Sequence, residues 1–258
     1  MKTFVISPSE LSYVCNHCSY IKKNYDIEPD SISAGVTQTL DSFEKKYFMG
    51  DVKKIDPNIK SGQVIDPLNI SFYSKELKDN KNRAYRIKGK GDAIIKFDDN
   101  TNGIIDYKTS KFKDNKNKKY IVEFNKKILE YSPQLHAYSL LYSNLETDEK
   151  FLAEHSKAKD ENKSESVKKT LKKIRSISIN KTSLLGLVFI YPEKVKSSKK
   201  FIVDFDHKFE EVKLDMKNFK NQLTKYLDIL HNKKPPKPSD DCKTCNYFLR
   251  AGEIQNEK

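Results

Sequence analysis

The chain has no tryptophan and no apolar run long enough to span a membrane. Only 36% of its 258 residues are hydrophobic, yet 14 Tyr and 14 Phe supply material for a core, which argues against wholesale disorder. This length fits one large domain or two small ones. The N-terminal residues lack the apolar stretch of a secretion signal, so we expect a cytoplasmic protein with no membrane partner.

Acidic residues are too few to balance the basic ones: 36 Asp and Glu stand against 49 Lys and Arg, for a net charge of +13. Such a balance favours polyanionic partners, nucleic acid first. The alternative is a compositional bias, because Lys, Asn and Ile are abundant throughout, as an AT-rich genome would produce. The charge would then be ordinary solvated surface.

Cysteine is scarce, but its positions in the sequence are regular. The four cysteines form two C-x-x-C pairs, Cys15 with Cys18 and Cys242 with Cys245, one pair near each end of the chain. In a reducing compartment such pairs favour metal ligation over disulfides. Four thiolates at this spacing suit a structural Zn²⁺ ion, and an iron–sulfur cluster also takes four thiolates. The alternative is four unligated thiols.

Residues 89–111 carry a β-hairpin pattern. Apolar runs at 93–97 and 103–107 flank a turn-forming Asp-Asp-Asn-Thr-Asn-Gly segment. A hairpin centred near Asp99 places Asp92 beside Asp106, and Lys108 shares a strand face with Asp106. Carboxylate oxygens suit a hard cation such as Mg²⁺ or Mn²⁺, and a lysine beside them can stabilise charge on a phosphate. The alternative is an ordinary hairpin with a polar face.

Other segments read as helices and strands around this hairpin. Residues 37–49 predict an amphipathic helix with Leu40, Phe43, Tyr47 and Phe48 inward. Ser132-Pro133 predicts a helix start, which puts Gln134 and Tyr138 on one helical face. Residues 184–191 predict a buried central strand, 201–205 a neighbouring strand, and 216–231 a helix with Phe219, Leu223, Tyr226, Leu227 and Leu230 inward. Residues 146–178 are highly charged and read as an insertion.

Three motifs in this order resemble the RecB-like branch of the PD-(D/E)XK nuclease superfamily: GKGD ending at Asp92, IIDYKT with Asp106 and Lys108, and QLHAY with Gln134 and Tyr138. The terminal cysteines fit the AddB-type and CRISPR-adaptation exonucleases of the same branch, where they hold an iron–sulfur cluster. The resemblance implies an α/β fold: a restriction-endonuclease-like core with a central mixed β-sheet of four or five strands flanked by helices, its termini joined at a four-cysteine metal site.

The resemblance also assigns roles. It implies that Asp92 and Asp106 bind Mg²⁺ or Mn²⁺, aided by the Tyr107 backbone carbonyl, that Lys108 is the catalytic lysine, and that Gln134 and Tyr138 are the family's Q-x-x-x-Y pair. Cys15, Cys18, Cys242 and Cys245 would hold a [4Fe-4S] cluster or Zn²⁺.

Two features depart from the branch. The helix before the core usually carries a metal-binding histidine, and here Asp41 or Glu44 is left to supply that ligand. The cysteines divide two and two, whereas the cluster-bearing relatives usually divide them one and three, which leaves zinc open.

We therefore expect one nuclease-like domain over residues 1–258, with a charged, partly flexible insertion at 146–180 and cysteine-bearing segments 1–25 and 235–250 packed together. The expected activity is Mg²⁺-dependent hydrolysis of DNA, as an exonuclease acting on single strands or single-stranded ends. Repair, recombination, phage replication and CRISPR-type processing remain open as its setting, with subunits of such complexes as partners. The alternatives are a catalytically inactive DNA-binding relative and a metal-stapled interaction module of a larger nucleoprotein complex.

Overall fold

The structure is a computed structural model that describes residues 2–12, 15–28, 35–66, 70–109, 118–196 and 202–256. Its strands are β1 (Phe4–Ile6), β2 (Gly50–Asp51), β3 (Gly62–Ile65), β4 (Phe72–Tyr73), β5 (Leu77–Lys78), β6 (Ala84–Gly89), β7 (Ala93–Phe97), β8 (Asn102–Thr109), β9 (Thr182–Lys196) and β10 (Ile202–Val212). Its α-helices are α1 (Asn16–Tyr25), α2 (Gly35–Phe48), α3 (Lys118–Tyr142), α4 (Glu149–Glu154), α5 (Lys163–Ile177), α6 (Met216–Leu230) and α7 (Lys243–Asn256). Short 3-10 helices cover Pro8–Leu11, Val52–Lys54 and Asp160–Asn162.

A mixed six-stranded sheet is the centre of the fold. Its strand order is β10-β9-β8-β7-β3-β2, with β8 and β9 parallel and the other neighbours antiparallel. A smaller sheet has the order β1-β6-β4, with β5 also paired to β6. The predicted α/β architecture, a central mixed sheet flanked by helices, is confirmed, although the sheet has six strands where four or five were expected.

Side chains of the larger sheet alternate between two hydrophobic clusters. Ile94 and Ile104 join the cluster that also contains α3, α5 and α6 side chains, whereas Ile95 and Ile105 join the one that contains Phe48 of α2. Because neighbours on a strand point to opposite faces, Asp106 lies on the α3 face and Tyr107 on the α2 face. The sheet thus presents its site residues to two different helices.

Most of the predicted elements are present. The predicted hairpin forms from β7 and β8, and the apolar run at 184–191 lies inside β9, between β8 and β10. All five residues predicted to face inward on α6 are buried. At the N-terminus, Ser7 and Glu10 form a reciprocal capping box, in which the Ser7 amide donates to Glu10 Oε2 at 2.9 Å.

The predicted inward face of α2 is partly wrong. Phe43 and Tyr47 are 61% and 62% exposed, while Phe48 is 3% and Glu44 6% exposed. The buried stripe therefore runs through Glu44 and Phe48, which lie one helical turn apart. Glu44 is buried close enough to Asp41 and Asp92 for their charges to act on it, so a rule that places only apolar residues inward fails here.

The helix predicted to begin at Ser132-Pro133 begins earlier, at Lys118, and Pro133 lies inside α3. Ser132 is therefore an interior residue and no N-cap. Capping chemistry marks a start only where the preceding segment is not itself helical, and here the preceding turns continue into the helix. The sequence of residues 110–120 predicts a polar, basic loop. Residues 110–117 lie outside the described residues, and residues 118–120 are helical.

The charged stretch at 146–180 contains α4, a 3-10 turn and α5. Ile174 and Ile177 of α5 are buried in the larger hydrophobic cluster, and the Ile179 amide donates to the Tyr142 carbonyl at 3.2 Å. The end of this segment is thus part of the core rather than an appendage. Partial flexibility of its remainder stays a prediction, as does the assignment of the chain to one domain.

Gly186 provides a test of sheet packing. A Cβ atom there would lie 2.7 Å from Ile105 Cδ1 and closer still to the Phe209 ring. We expect Gly186→Ala to lower the free energy of unfolding by about 1–3 kcal/mol through overpacking. Urea denaturation of the variant and the wild type measures this difference. Gly252→Ala is the matched control, because no atom lies within 4 Å of a Cβ at that helical position. Equal stability of the two variants would contradict the packing.

Candidate active site and four-cysteine cluster

The β7–β8 hairpin brings the two predicted aspartates together. Ala93 pairs with Ile105, so the next residues outward, Asp92 and Asp106, lie opposite each other. Asp92 Oδ2 accepts a hydrogen bond from the Tyr107 amide at 3.0 Å. Beyond the Ala93–Ile105 pair, this side-chain bond takes the place of a backbone hydrogen bond between the two strands. It holds the Asp92 carboxylate against β8.

Asp106 is buried, with 2% of its surface exposed, and Lys108 is its nearest charge. Lys108 Nζ forms an ion pair with Asp106 Oδ2 at 2.5 Å, and this buried oxygen has no regular hydrogen bond besides. Burial raises the pKa of Asp106, Lys108 counteracts this increase, and Asp92 adds to it. A buried carboxylate whose only close partner on one oxygen is a cation is suited to bind a metal ion at that oxygen.

Gln134 connects the carboxylate and the lysine. Its Nε2 donates to Asp106 Oδ1 at 3.3 Å, and its Oε1 accepts from Lys108 Nζ at 3.2 Å. Ser12, which the sequence motifs did not indicate, also donates to Oε1, at 3.2 Å. Lys108 Nζ lies 4.4 Å from the centre of the Tyr131 ring, a cation–π contact equally absent from the motifs.

Tyr138 lies one helical turn beyond Gln134 and is 6% exposed. Its ring stacks on Tyr142 at 6.3 Å, and the Tyr142 hydroxyl accepts a hydrogen bond from the Gly91 amide at 2.8 Å. A Cβ at Gly91 would lie 3.0 Å from that hydroxyl. The two tyrosines therefore support the backbone that leads into Asp92 from within the core, and neither offers an open face for stacking a base.

Helix α2 carries the two carboxylates, Asp41 and Glu44, that the sequence offered where the resemblance led us to expect a histidine. Glu44 is buried, and its Oε1 has no hydrogen-bond partner. Burial, together with the charges of Asp41 and Asp92, raises the pKa of Glu44 to about 7. Burial and the charges of Asp92, Glu44 and Asp66 likewise raise the pKa of Tyr107. Asp66, just past β3, is thus a further carboxylate near the site that the motifs missed.

Asp41 differs from Glu44. It is 48% exposed, and both of its oxygens lie 2.9 Å from Lys45 Nζ. Lys45 Nζ also lies 3.1 Å from Asp92 Oδ1. Of the two helix candidates, Glu44 has the free buried oxygen and Asp41 is already paired.

These residues fit a divalent metal ion. Asp92, Asp106 and Glu44 offer the oxygen ligands that hard cations prefer, and two of their buried oxygens lack hydrogen-bond partners. Their ligand atoms are not tightly clustered: within the described ranges, only the four cysteines place three or more such atoms within 4.8 Å of one another.

The four cysteine sulfurs come together where the two ends of the chain meet. Cys15 Sγ lies 3.8 Å from Cys245 Sγ, and Cys18 Sγ lies 3.6 Å from Cys242 Sγ and 3.3 Å from Cys245 Sγ. All four are free thiols. Each C-x-x-C pair straddles the first turn of a helix, α1 or α7, where the helix dipole favours thiolates.

The pKa values of the clustered thiols are shifted in ways that favour binding of a cation. Burial opposes ionisation of Cys15, but hydrogen bonds, first from Ser239, outweigh it and lower its pKa to about 6. Burial and the neighbouring sulfurs Cys15 and Cys242 raise the pKa of Cys18 to about 11 despite a hydrogen bond from Cys245. A positive ion at the centre would relieve this repulsion. His17 is no member of the cluster, because its Nδ1 contacts the Pro236 carbonyl at 2.8 Å.

A cleft of about 1020 Å³ opens beside the cysteines, lined by residues of α1 and α7 such as Lys22 and Phe248. None of Asp92, Asp106 and Lys108 lines it. The candidate chemistry lies at Asp92, Asp106 and Glu44 all the same, because two buried carboxylate oxygens there lack hydrogen-bond partners and Lys108 is adjacent. No helix in the described part of the chain is long and apolar enough to cross a membrane.

The mixed sheet brings Asp92, Asp106 and Lys108 together beside Gln134 of α3, as the motifs led us to expect. The model of the PD-(D/E)XK nuclease superfamily matches residues 37–248, and the chain belongs to that superfamily. Members typically use divalent metal ions. The crystal structure of SSO0001 is similar at 15% identity and a TM-score of 0.43, over 90% of this chain and 79% of that one. No curated protein sequence matches.

Glu44 gives the site a pH signature in protein free of divalent ions. Because its pKa is raised to about 7 in the folded state, its stabilising contribution is complete below about pH 4.5 and is lost as pH rises through 7. We expect the free energy of unfolding of the wild type to fall relative to Glu44→Gln between pH 5 and about pH 8. Urea denaturation across that range measures it. The exposed Glu154→Gln is the control, and parallel profiles for the wild type and Glu44→Gln would contradict the prediction.

Proposed function

We propose that this protein is a divalent-metal-dependent deoxyribonuclease of the RecB-like branch. The observation that carries the proposal is the single network formed by Asp92, Asp106, Lys108 and Gln134, in which each side chain touches at least one other or the shared β8 backbone. The superfamily membership supports nuclease chemistry, and the intact acid and lysine positions argue against an inactive relative.

Asp92 and Asp106 would hold the metal, with Glu44 from α2 and the Tyr107 carbonyl as further ligands. When bound, a divalent cation polarises a phosphate and lowers the pKa of a water molecule. Lys108 sits beside Asp106, where its ammonium orients the attacking water and offsets charge that develops on the phosphate. Gln134 keeps Lys108 and Asp106 in register, with Ser12 and Tyr138 supporting it.

The proposed substrate is DNA. A net charge of +13 favours a polyanion, and the branch that the motifs resemble contains exonucleases that act on single strands or single-stranded ends. We extend that activity to this chain as part of the proposal. A role in repair, recombination, phage replication or CRISPR-type processing, alongside subunits of such complexes, follows from the same resemblance. A cytoplasmic location is proposed with it.

For the four cysteines we propose a single Zn²⁺ ion. Tetrahedral ligands at a Zn–S distance of about 2.3 Å lie about 3.8 Å apart, and the three sulfur contacts are 3.8, 3.6 and 3.3 Å. In a [4Fe-4S] cluster each thiolate binds a different iron, so the four sulfurs lie farther apart than around one ion. The two-and-two division of the cysteines points the same way.

Cleavage of labelled DNA tests the nuclease proposal. With Mg²⁺ or Mn²⁺ we expect the wild type to degrade single-stranded or single-strand-ended DNA, and Lys108→Met to lose about 10²–10³-fold in kcat. Asp106→Asn should lose at least as much, because it removes a metal ligand. Lys96→Met, an exposed lysine on the same hairpin, is the matched control.

The outcomes of this assay separate the alternatives. Wild-type protein that binds DNA but cleaves none with either metal is an inactive relative. Protein that neither binds nor cleaves fits the interaction module. Equal losses in Lys96→Met and Lys108→Met would remove the specific role of Lys108.

Metal analysis of anaerobically purified protein tests the zinc proposal. We expect a colourless protein with about one zinc per chain, lost in Cys245→Ser together with thermal stability, because structural zinc contributes directly to folding. Ser19→Ala, a buried residue of the same α1 turn, is a control that keeps the zinc. Iron with inorganic sulfide and a broad visible absorption band would overturn the assignment.

A further inference from the structure

Lys45 is a charged residue of the site that no motif or family role accounts for. It lies on α2 directly after Glu44, and only 14% of its side chain is exposed. Its Nζ is 3.1 Å from Asp92 Oδ1 and 2.9 Å from each oxygen of Asp41. The ammonium thus bridges a proposed metal ligand and a surface carboxylate on its own helix.

Each aspartate of the site is paired with one lysine. Lys108 accompanies Asp106, and Lys45 accompanies Asp92. The other oxygen of Asp92 is bonded to the Tyr107 amide, so the lysine holds the oxygen that is left for a cation. A divalent ion on that oxygen would lie within a few ångströms of the ammonium, and like charges repel strongly at that distance in a partly buried site.

Asp41 is an alternative ion-pair partner for Lys45. It precedes Lys45 by one helical turn, contacts the ammonium through both oxygens and is half exposed. Because a lysine side chain rotates about four flexible carbons, its ammonium can leave Asp92 and keep the ion pair with Asp41. This geometry also explains why Asp41 is the paired carboxylate of the helix and Glu44 the unpaired one.

We propose that Lys45 is the internal counter-ion of Asp92: it neutralises this carboxylate in the metal-free protein, and a divalent cation binds by displacing it towards Asp41. The inference rests on the proposed metal site. Lys45 is a positioning residue that sets the affinity of the site for metal. In the metal-free protein, Lys45 keeps Asp92 in the orientation that binds metal. The lysine and the metal ion compete for Asp92 Oδ1.

Calorimetric titration with Ca²⁺ tests the competition directly, because Ca²⁺ prefers oxygen ligands to the cysteine thiolates and requires no turnover. We expect Lys45→Met to bind Ca²⁺ about 10-fold more tightly than the wild type, the order expected for removing one nearby positive charge. Lys46→Met removes the same charge from the exposed next position and should leave the affinity about unchanged.

The sign of the effect distinguishes competition from damage. A lysine with a merely structural role would weaken binding when removed, whereas a competitor strengthens it. Lys45→Gln, which keeps a polar end group, is the second variant should Lys45→Met fold poorly. Unchanged or weaker Ca²⁺ binding in a folded Lys45 variant overturns the inference.

Asp92→Asn separates this inference from the proposed function. Wild-type binding that disappears in Asp92→Asn establishes the metal site, and the Lys45 comparison then tests the inference alone. If the wild type binds neither Ca²⁺ nor Mn²⁺ at a site that depends on Asp92, the proposed metal site fails and the inference fails with it.

A double-mutant cycle tests the role of Asp41. If Asp41 only receives Lys45, Asp41→Asn should weaken Ca²⁺ binding in the wild type and have little effect in Lys45→Met, because the lysine that needs a second partner is absent. If Asp41 were itself a ligand, Asp41→Asn would weaken binding equally in both backgrounds, and the displacement towards Asp41 would be refuted.

Discussion

The pairing register of β7 with β8 is the constraint on which the site depends. Ala93 opposite Ile105 puts Asp92 opposite Asp106 and lets the Tyr107 amide bond to the Asp92 carboxylate. A slip by one residue would turn every side chain of a strand to the other face. Asp106 would then leave Gln134 and enter the apolar cluster on the α2 side. The buried isoleucines of both strands secure the register, so the core and the site are specified together.

Local patterns in the sequence predicted this hairpin because turn chemistry and alternation act over a few residues. The central strand, helix α6 and both C-x-x-C pairs were predictable for the same reason. The sequence named Glu44 only as one of two helix candidates, and it did not predict the contact of Ser12 with Gln134, because such contacts join segments far apart in the chain. Periodicity also failed on α2, where Phe43 and Tyr47 were expected inside and are exposed. The helix start predicted at Ser132-Pro133 was wrong because a proline marks a helix start only where the preceding residues are not helical, and here α3 begins at Lys118.

The two proposed metal sites differ in ligand chemistry. One offers carboxylate oxygens and the other offers sulfur, and hard and soft cations divide between such sets. They also differ in geometry: the sulfurs lie within 4.8 Å of one another, whereas the carboxylates are held by lysines, amides and a glutamine. The sulfur site is therefore suited to a permanently bound ion. The oxygen site is suited to an exchangeable ion that displaces the lysine counter-ions when it binds. Ser12 lies three residues from Cys15, so the N-terminal segment takes part in both.

A single ion held by all four sulfurs would turn the chain into a ring. Cys18 and Cys242 are separated by 224 positions, so nearly the whole fold lies inside the closed loop. Such a link restricts the unfolded chain far more than a local one, since loop-closure entropy grows with the number of residues enclosed. The ends of the protein would then stay together even when the sheet between them melts, and a melted chain would start each attempt at refolding with its first and last helices already side by side.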